Sequence, residues 1–309
     1  MAFSMHSHSG QFCPGHAQDS LEQVIQTAIS RGMAVFALTE HMPRMSEKDL
    51  YPEEISAGET TADHVPRHAA YLQEAVRLRD QYASEIEILI GFEGEFIRSD
   101  YAPFIHELAA DARVDFFIGS VHHVHGIPID YDAAFYGRAR DAAGGSDDLL
   151  FADYLDLQLE MLHALRPKVI GHFDLVRLLA EDPNRDLRAV LPVWQKIVRN
   201  LKVVVQLGAL LEVNSAALRK GLTEPYPARS ICEEFLAMGG MLTLSDDSHG
   251  IDQVGTNYLR TIEYVESLGV STLWTLKRQR PDQTDGIDGK SVVTVSPVAV
   301  SGVRASFRG

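Results

Sequence analysis

Phe3-Ser4-Met5-His6-Ser7-His8, a segment of helical period at 19–31, and Ala34-Val35-Phe36-Ala37-Leu38-Thr39-Glu40-His41 form the unit from which the architecture can be inferred. The first and last pieces are short apolar runs that read as strands. Between them Leu21, Val24, Ile25, Ala28 and Ile29 recur at helical spacing, with Asp19 or Ser20 placed to cap the helix and Gly32 to end it. Both strands finish on side chains that ligate metals or move protons: His6 and His8 on the first, Glu40 and His41 on the second.

Beyond this segment the same unit recurs. Helical periods at 67–84, 103–112, 147–165, 187–201, 228–238 and 251–268 alternate with strand-like runs at 86–92, 115–121, 168–171, 209–213 and 241–244. Seven strand–helix units in succession imply an α/β fold with a parallel sheet and right-handed crossovers. An open doubly wound sheet and a closed barrel both fit this pattern. No glycine-rich phosphate turn follows any strand, which weighs against the nucleotide-binding version. Two stretches interrupt the alternation. Residues 42–65 are polar, carry prolines and have no clear period, so they are expected as an insertion of the lid or binding-loop kind. Residues 122–146, with Gly126, Pro128, Gly144 and Gly145, are expected as a second loop. From Pro281 the character changes, with a polar run at 283–290 and a β-prone run at 291–300. The expected organisation is a single domain over residues 1–280 and a C-terminal tail over 281–309.

The 309 residues are 45% apolar and 23% charged, ordinary values for a globular chain large enough to bury a core without disulfide staples. The net charge of −15 makes a poor generic binder of nucleic acid or anionic membrane, although a local cationic pocket is compatible with it. Two cysteines, Cys13 and Cys232, give no disulfide framework and suggest a reducing compartment. No run of about 18 apolar residues exists, and the first residues resemble no signal peptide, so a cytoplasmic location and no membrane contact are expected.

The chemistry gathers at the C-terminal ends of the strands. In order, these ends deliver His6-Ser7-His8 (His16 soon after), Glu40-His41, Glu93-Gly94-Glu95, His122-His123, His172-Phe173-Asp174, Glu212-Val213-Asn214 and Asp246-Asp247-Ser248-His249. In a barrel they share one rim, where active sites sit. Carboxylates and imidazoles crowded in a water-poor cleft repel one another and shift each other's pKa, and divalent cations remove that conflict. Residues i and i+2 of a strand point the same way, so His6 with His8, and Asp247 with His249, can share an ion. Glu93 can bridge two. The ligand supply fits two or three ions of Zn, Mn or Fe. His64, His68, His106 and His163 lie away from the strand ends and read as ordinary core or surface residues, and His125 stays unassigned.

The ordered set His6-x-His8, Glu40-His41, Gly91-Phe92-Glu93, Gly119-Ser120-Val121-His122, Gly171-His172-Phe173-Asp174 and Asp247-Ser248-His249 resembles the PHP (polymerase and histidinol phosphatase) superfamily over roughly residues 3–270. The resemblance implies a distorted (β/α)7 TIM-like barrel with a trinuclear metal centre. It places His6, His8, Glu93 and Asp247 on a first metal, Glu93, His122 and His172 on a second, and His16, His41 and His249 on a third. Glu93, Asp247 and His249 are implied as catalytic. An Asp stands at 246 where the family pattern has Ser, so Asp246 competes with Asp247 as the ligand. Gly15-His16-Ala17, the run from Glu212 to Gly221 and Glu224-Pro225-Tyr226-Pro227 resemble the histidinol-phosphate phosphatase branch. That likeness implies Arg219 as a phosphate-binding residue, with Arg177 as a weaker candidate, and hydrolysis of a small phosphomonoester, L-histidinol phosphate. A nucleotide or oligonucleotide phosphoesterase of the same superfamily, and a non-catalytic metal-binding module, are the competing expectations. Oligomeric state is not legible.

Overall fold

The computed structural model describes residues 1–279 and 292–307. The opening unit is β1 (Ala2–Ser4), α1 (Leu21–Ser30) and β2 (Met33–Leu38). Leu21, Val24, Ile25 and Ala28 form the buried stripe of α1, each large side chain stabilising by about 1.5–3 kcal/mol. Ser20 caps the helix: its hydroxyl accepts from Gln23 N–H at 3.3 Å while Gln23 Oε1 accepts from Ser20 N–H at 2.8 Å. Next come α2 (Pro52–Ser56), α3 (Thr61–Gln81), β3 (Glu87–Ile90), β4 (Glu93–Glu95), α4 (Tyr101–Ala109) and β5 (Ile118–Ser120). A short hairpin, β6 (His123–Val124) with β7 (Ile127–Pro128), precedes α5 (Ala133–Ala142) and α6 (Asp147–Leu165). The chain continues through β8 (Val169–Ile170), α7 (Leu191–Leu207), β9 (Leu210–Asn214), α8 (Ala216–Arg219), α9 (Arg229–Ala237), β10 (Met241–Ser245) and α10 (Tyr258–Ser267). It closes with β11 (Thr272–Gln279), β12 (Val292–Ala299) and α11 (Val300–Ser306).

The architecture is a mixed α/β domain with two parallel sheets, ordered β1-β2-β3 and β10-β9-β8-β5-β4. They meet along two seams. At one, Gly91 N–H donates to Leu38 O at 2.8 Å and Glu93 N–H to Glu40 O at 3.0 Å, with a parallel bridge between His41 and Glu93. At the other, Met5 N–H donates to Leu244 O at 3.1 Å and His8 N–H to Ser248 O at 2.8 Å, around a bridge between Ser7 and Ser248. The run at 86–92 reads in sequence as one strand, but it divides: β3 stays in the first sheet and β4 joins the second. Gly91 sits at the break, where a Cβ would lie 2.8 Å from Phe116 O.

Three further expectations change. The 42–65 stretch is not structureless: it holds a 3-10 turn (Glu47–Asp49), α2 and the start of α3, which begins six residues earlier than the period suggests. Asp63 accepts from both Thr60 N–H and its hydroxyl, at 2.9 and 2.8 Å, and fixes that start. The 122–146 loop contains the hairpin and α5, whose N-terminus Asp132 caps through Phe135 N–H at 2.8 Å. In the 251–268 segment a 3-10 turn (Ile251–Gln253) precedes α10. Residues 283–290 lie outside the described residues. β12 pairs antiparallel with β11, and Leu273, Leu276, Val298, Val300 and Val303 join the main core. Among the described residues, no helix is long and apolar enough to cross a membrane.

Candidate metal centre

The C-terminal ends of the parallel strands converge. His6 and His8 follow β1 in extended backbone and present their rings side by side, centroids 5.0 Å apart. His6 Nε2 lies 3.4 Å from Glu93 Oε2 and 3.6 Å from Asp247 Oδ1, and His8 Nε2 lies 3.6 and 3.3 Å from the same two oxygens. Glu93 Oε1 faces His172 Nε2 at 2.9 Å and His122 Nε2 at 3.4 Å. The two imidazole nitrogens of His122 and His172 are themselves 3.1 Å apart. His41 stacks on His8 at 4.2 Å, and His249 stands 4.4 Å from His8 by ring centroids. His249 Nδ1–H donates to Asp247 O at 2.9 Å, which turns its Nε2 away. Among the described residues, potential ligand atoms fall into four groups, each within 4.8 Å: His6/His8/Glu93, His6/His172/Asp247, Glu93/His122/His172 and His8/His41/His249.

Of the nine side chains named as ligands, eight are in these groups. His16 is the outermost: its side chain is 43% exposed, it lies 3.3 Å from Glu53 Oε1, and its ring is 4.7 Å from that of His249. The two neighbouring aspartates separate cleanly. Asp246 points into the fold, where its carboxylate accepts from Ser4 Oγ at 3.1 Å, Ser248 N–H at 3.1 Å and Gly255 N–H at 2.6 Å. Asp247 faces the histidines from a left-handed backbone position (φ 48°), a conformation Asp tolerates better than most residues. Arg219 donates to the carbonyls of Asp246 and Asp247 at 3.3 and 3.1 Å, behind the Asp247 backbone, and is not itself among the residues that line the cavity. Arg177 is buried elsewhere, bound to Asp174 at 2.7 Å and to the carbonyls of Pro183 and Pro225 at 3.0 and 2.8 Å, and it does not line the cavity.

A cavity of about 400 Å³ opens over these groups. Arg44, Tyr51, Glu53, Tyr131 and Lys220 are on its wall, and so are His64 and His68, which read in sequence as ordinary core or surface residues. Both sit in α3, away from any strand end, so position alone gives no signal of their place. His125 is distant from the cage, 2.8 Å from Asp153. Two buried carboxylates quoted in sequence but given no role, Glu95 and Glu212, stand directly behind the candidate ligands. Glu212 lies 2.9 Å from His6 Nδ1, and Glu95 lies 3.0 Å from both His41 Nδ1 and His122 Nδ1.

Electrostatics divides the cage. Burial disfavours a charged His6, but Asp247, Glu212 and Glu93 outweigh it and hold its pKa well above the usual value. Burial and the adjacent His41 push His8 down to about 3, and burial with His8 lowers His249 strongly. Burial raises Glu93 and Asp247, yet the surrounding imidazoles win and hold both well below the carboxylate range. His6 Nε2, both nitrogens of His8, His41 Nε2 and Asp247 Oδ1 are buried without hydrogen-bond partners. Each such orphan costs about 1–3 kcal/mol. A set of imidazole lone pairs and carboxylate oxygens left unpaired within ligand distance of one another fits divalent cations.

The family model for the PHP domain matches residues 4–216. The chain belongs to the PHP domain family. Among relatives of this PHP protein, one from Schizosaccharomyces pombe, named "Probable histidinol-phosphatase", is 41% identical across 100% of this chain and 98% of its own length. A Saccharomyces cerevisiae protein named "Histidinol-phosphatase" is 31% identical, covering 85% of this chain and 87% of its own. A solved histidinol phosphate phosphatase from Lactococcus lactis, complexed with zinc, L-histidinol and phosphate, superposes with a TM-score of 0.66 at 18% identity, covering 89% of this chain and 96% of that one. At that identity the likeness concerns the fold.

Proposed function

We propose that this PHP protein is a metal-dependent phosphomonoesterase that hydrolyses L-histidinol phosphate to L-histidinol and phosphate. The observation that carries the reading is the buried cage of unpaired imidazole and carboxylate atoms at the mouth of a 400 Å³ cavity. The full-length relationship to the Schizosaccharomyces pombe protein, and the bound molecules of the Lactococcus lactis one, support this choice of substrate. The site would hold two or three ions of Zn, Mn or Fe. His6, His8, Glu93 and Asp247 would take the first, Glu93, His122 and His172 the second, and His41 and His249 the third, with His16 at its outer edge. The two parallel sheets joined at their seams are read as a (β/α)7 barrel. Residues 1–280 are read as the domain that carries the site, with 42–65 as its roof, and 281–309 as a C-terminal segment to which no role is assigned. A biosynthetic role of this kind belongs in the cytoplasm.

When bound, the cations supply Lewis acidity that offsets phosphoryl charge and makes water a nucleophile near neutral pH. The chain's own groups do the rest. Glu93, central to the cage, sets the spacing between neighbouring ligand groups. Arg219 spends two of its five N–H donors on the carbonyls of Asp246 and Asp247, which leaves donors for a phosphoryl oxygen beside the cage. Lys220 adds a second cation at the cavity wall. Water bonds to phosphorus as the ester P–O bond breaks; the water gives up one proton and the leaving alkoxide takes one up, so that the net transfer makes the alcohol and phosphate with no other reactant. The acidic side chains of Glu53 and Glu54 on the roof suit the substrate's ammonium. Phosphate release from L-histidinol phosphate and from nucleoside monophosphates, measured on protein reconstituted with Zn or Mn, tests the reading. A preference of at least about 100-fold in kcat/KM for the former is expected. Preference for the nucleotide, or no metal-stimulated turnover, overturns it.

A further inference from the structure

Glu95 is fully buried and stands two residues along β4 from Glu93, so both side chains leave the same face. Its two oxygens address two imidazoles. Oε1 accepts from His41 Nδ1–H at 3.0 Å, whereas Oε2 is in ion-pair contact with His122 Nδ1 at 3.0 Å without the alignment of a hydrogen bond. Those rings belong to different ligand groups: His41 stands with His8 and His249, and His122 with Glu93 and His172. On each ring the second nitrogen is turned the other way. His41 Nε2 is buried without a hydrogen-bond partner, and His122 Nε2 faces His172 Nε2 at 3.1 Å. Glu93 Oε2 also lies 3.1 Å from His41 Nδ1, so every oxygen near that nitrogen calls for a proton on it. An imidazole that carries its proton on Nδ1 keeps its lone pair on Nε2.

Arg44 closes the outer side of the Glu95 carboxylate. It is 3% exposed, and its Nη1 lies 2.5 Å from Glu95 Oε1. Its guanidinium rests over the Tyr51 ring at 5.0 Å, with Nε 3.8 Å from Glu54 Oε1. A residue of the 42–65 roof therefore pins the carboxylate beneath it.

We propose that Glu95, held by Arg44, is a positioning residue that sets the tautomer of His41 and His122 together and so ties two ligand groups to one carboxylate. The inference rests on the metal-centre reading above. Carboxylates that accept from the far nitrogen of a ligating imidazole fix its orientation, and their loss commonly weakens metal binding 10–100-fold. An amide at position 95 offers one acceptor and one donor. It satisfies one Nδ1–H, while its NH₂ group forces the other ring into the wrong tautomer.

The test uses the full chain, labelled with 15N-histidine and loaded with 113Cd as the probe metal. His41 and His122 are expected to carry the proton on Nδ1 and to show one-bond cadmium coupling at Nε2. Coupling at Nδ1 of either ring overturns the proposal. Chelator competition on Glu95→Gln should show at least one bound ion released 10–100-fold more readily than in the parent chain, and Glu95→Asp should recover part of the loss. A Gln variant that holds every ion as tightly as the parent also overturns it. If Glu95→Gln fails to fold, the spectrum of the unmutated protein still decides. A parent chain that takes up no cadmium or zinc sinks the metal-centre reading together with this inference, whereas uptake through the wrong nitrogens sinks this inference alone.

Discussion

Arg219 and His68 show how much a single side chain on or behind the cavity can reveal. Arg219 contributes no ligand atom, and the Asp247 carbonyl it bonds also accepts from His249 Nδ1–H, so its loss should leave the cage in place and remove a donor from the phosphoryl group. Arg219→Met is expected to lower kcat/KM for L-histidinol phosphate about 100–1,000-fold, the usual cost of one donor to developing charge. Metal content measured by elemental analysis should not change, and a metal-depleted variant would contradict this role. His68 is buried between Tyr71 and Phe92, with neither ring nitrogen hydrogen-bonded. Burial pushes its pKa down to about 4, against the pull of Asp111 and with help from Arg113. The folded chain therefore refuses a proton that the unfolded chain accepts below about 6.5, and stability from this residue falls as pH drops from there towards 4. His68→Leu should flatten that fall, so urea midpoints of variant and parent should change by different amounts between pH 7 and pH 5. Parallel curves would refute it.

Among the elements, the 42–65 insertion is tied to α4 through the carboxylate of Asp49 as well as to β4 through Arg44. Asp49 takes both Nη atoms of Arg98 at 2.7 Å and the Tyr101 hydroxyl at 2.8 Å, tying the 3-10 turn to α4. Burial raises the Asp49 pKa, but the hydrogen bonds from Arg98 and Tyr101 win and hold it below the ordinary value. Its contribution is therefore present above about pH 3.9 and is lost as pH falls through the lower folded value. Asp49→Asn should cost about 1–2 kcal/mol at pH 7, discounted for the partly exposed Arg98, and the gap to the parent should close in acid. Denaturant melts at pH 7 and pH 3 check this, and a gap as wide at pH 3 as at pH 7 would refute it. This anchor was not legible in sequence, because it joins residues about 50 positions apart. The helix start at Thr60 could have been seen from Thr60-x-x-Asp63, but the polar first turns of α3 bury little and leave no apolar period. Likewise α5 buries only Tyr136 and Ala139, too few to stand out among the surrounding glycines.

Across the full fold, strand–helix alternation was enough to give parallel sheets, because buried strands and amphipathic helices write different periods into the chain. Periodicity does not say which strands pair. The passage of one apolar run from β3 into β4, in a different sheet, depends on the close approach of Gly91 to Phe116. The clustering of the candidate ligand positions was legible because they follow the C-terminal ends of parallel strands, whereas Glu95 and Glu212 look in sequence no different from the candidates beside them. Filling the cage should stabilise the entire fold, since its side chains bridge both sheets. At a free ion concentration about 100-fold above Kd, each ion adds about 2.7 kcal/mol. Chelation should lower the unfolding midpoint by several degrees, and calorimetry showing no shift would argue that the cage holds nothing.

The seam between β1 and β10 also bears on how the protein is made. Asp247 and His249, across that seam, leave the ribosome more than two hundred residues after His6 and His8. At about 5–20 residues per second the N-terminal imidazoles wait on the order of tens of seconds for their counterparts. A nascent polypeptide thus cannot complete the candidate cage before residue 249 has emerged, and a product truncated before residue 247 would never complete it.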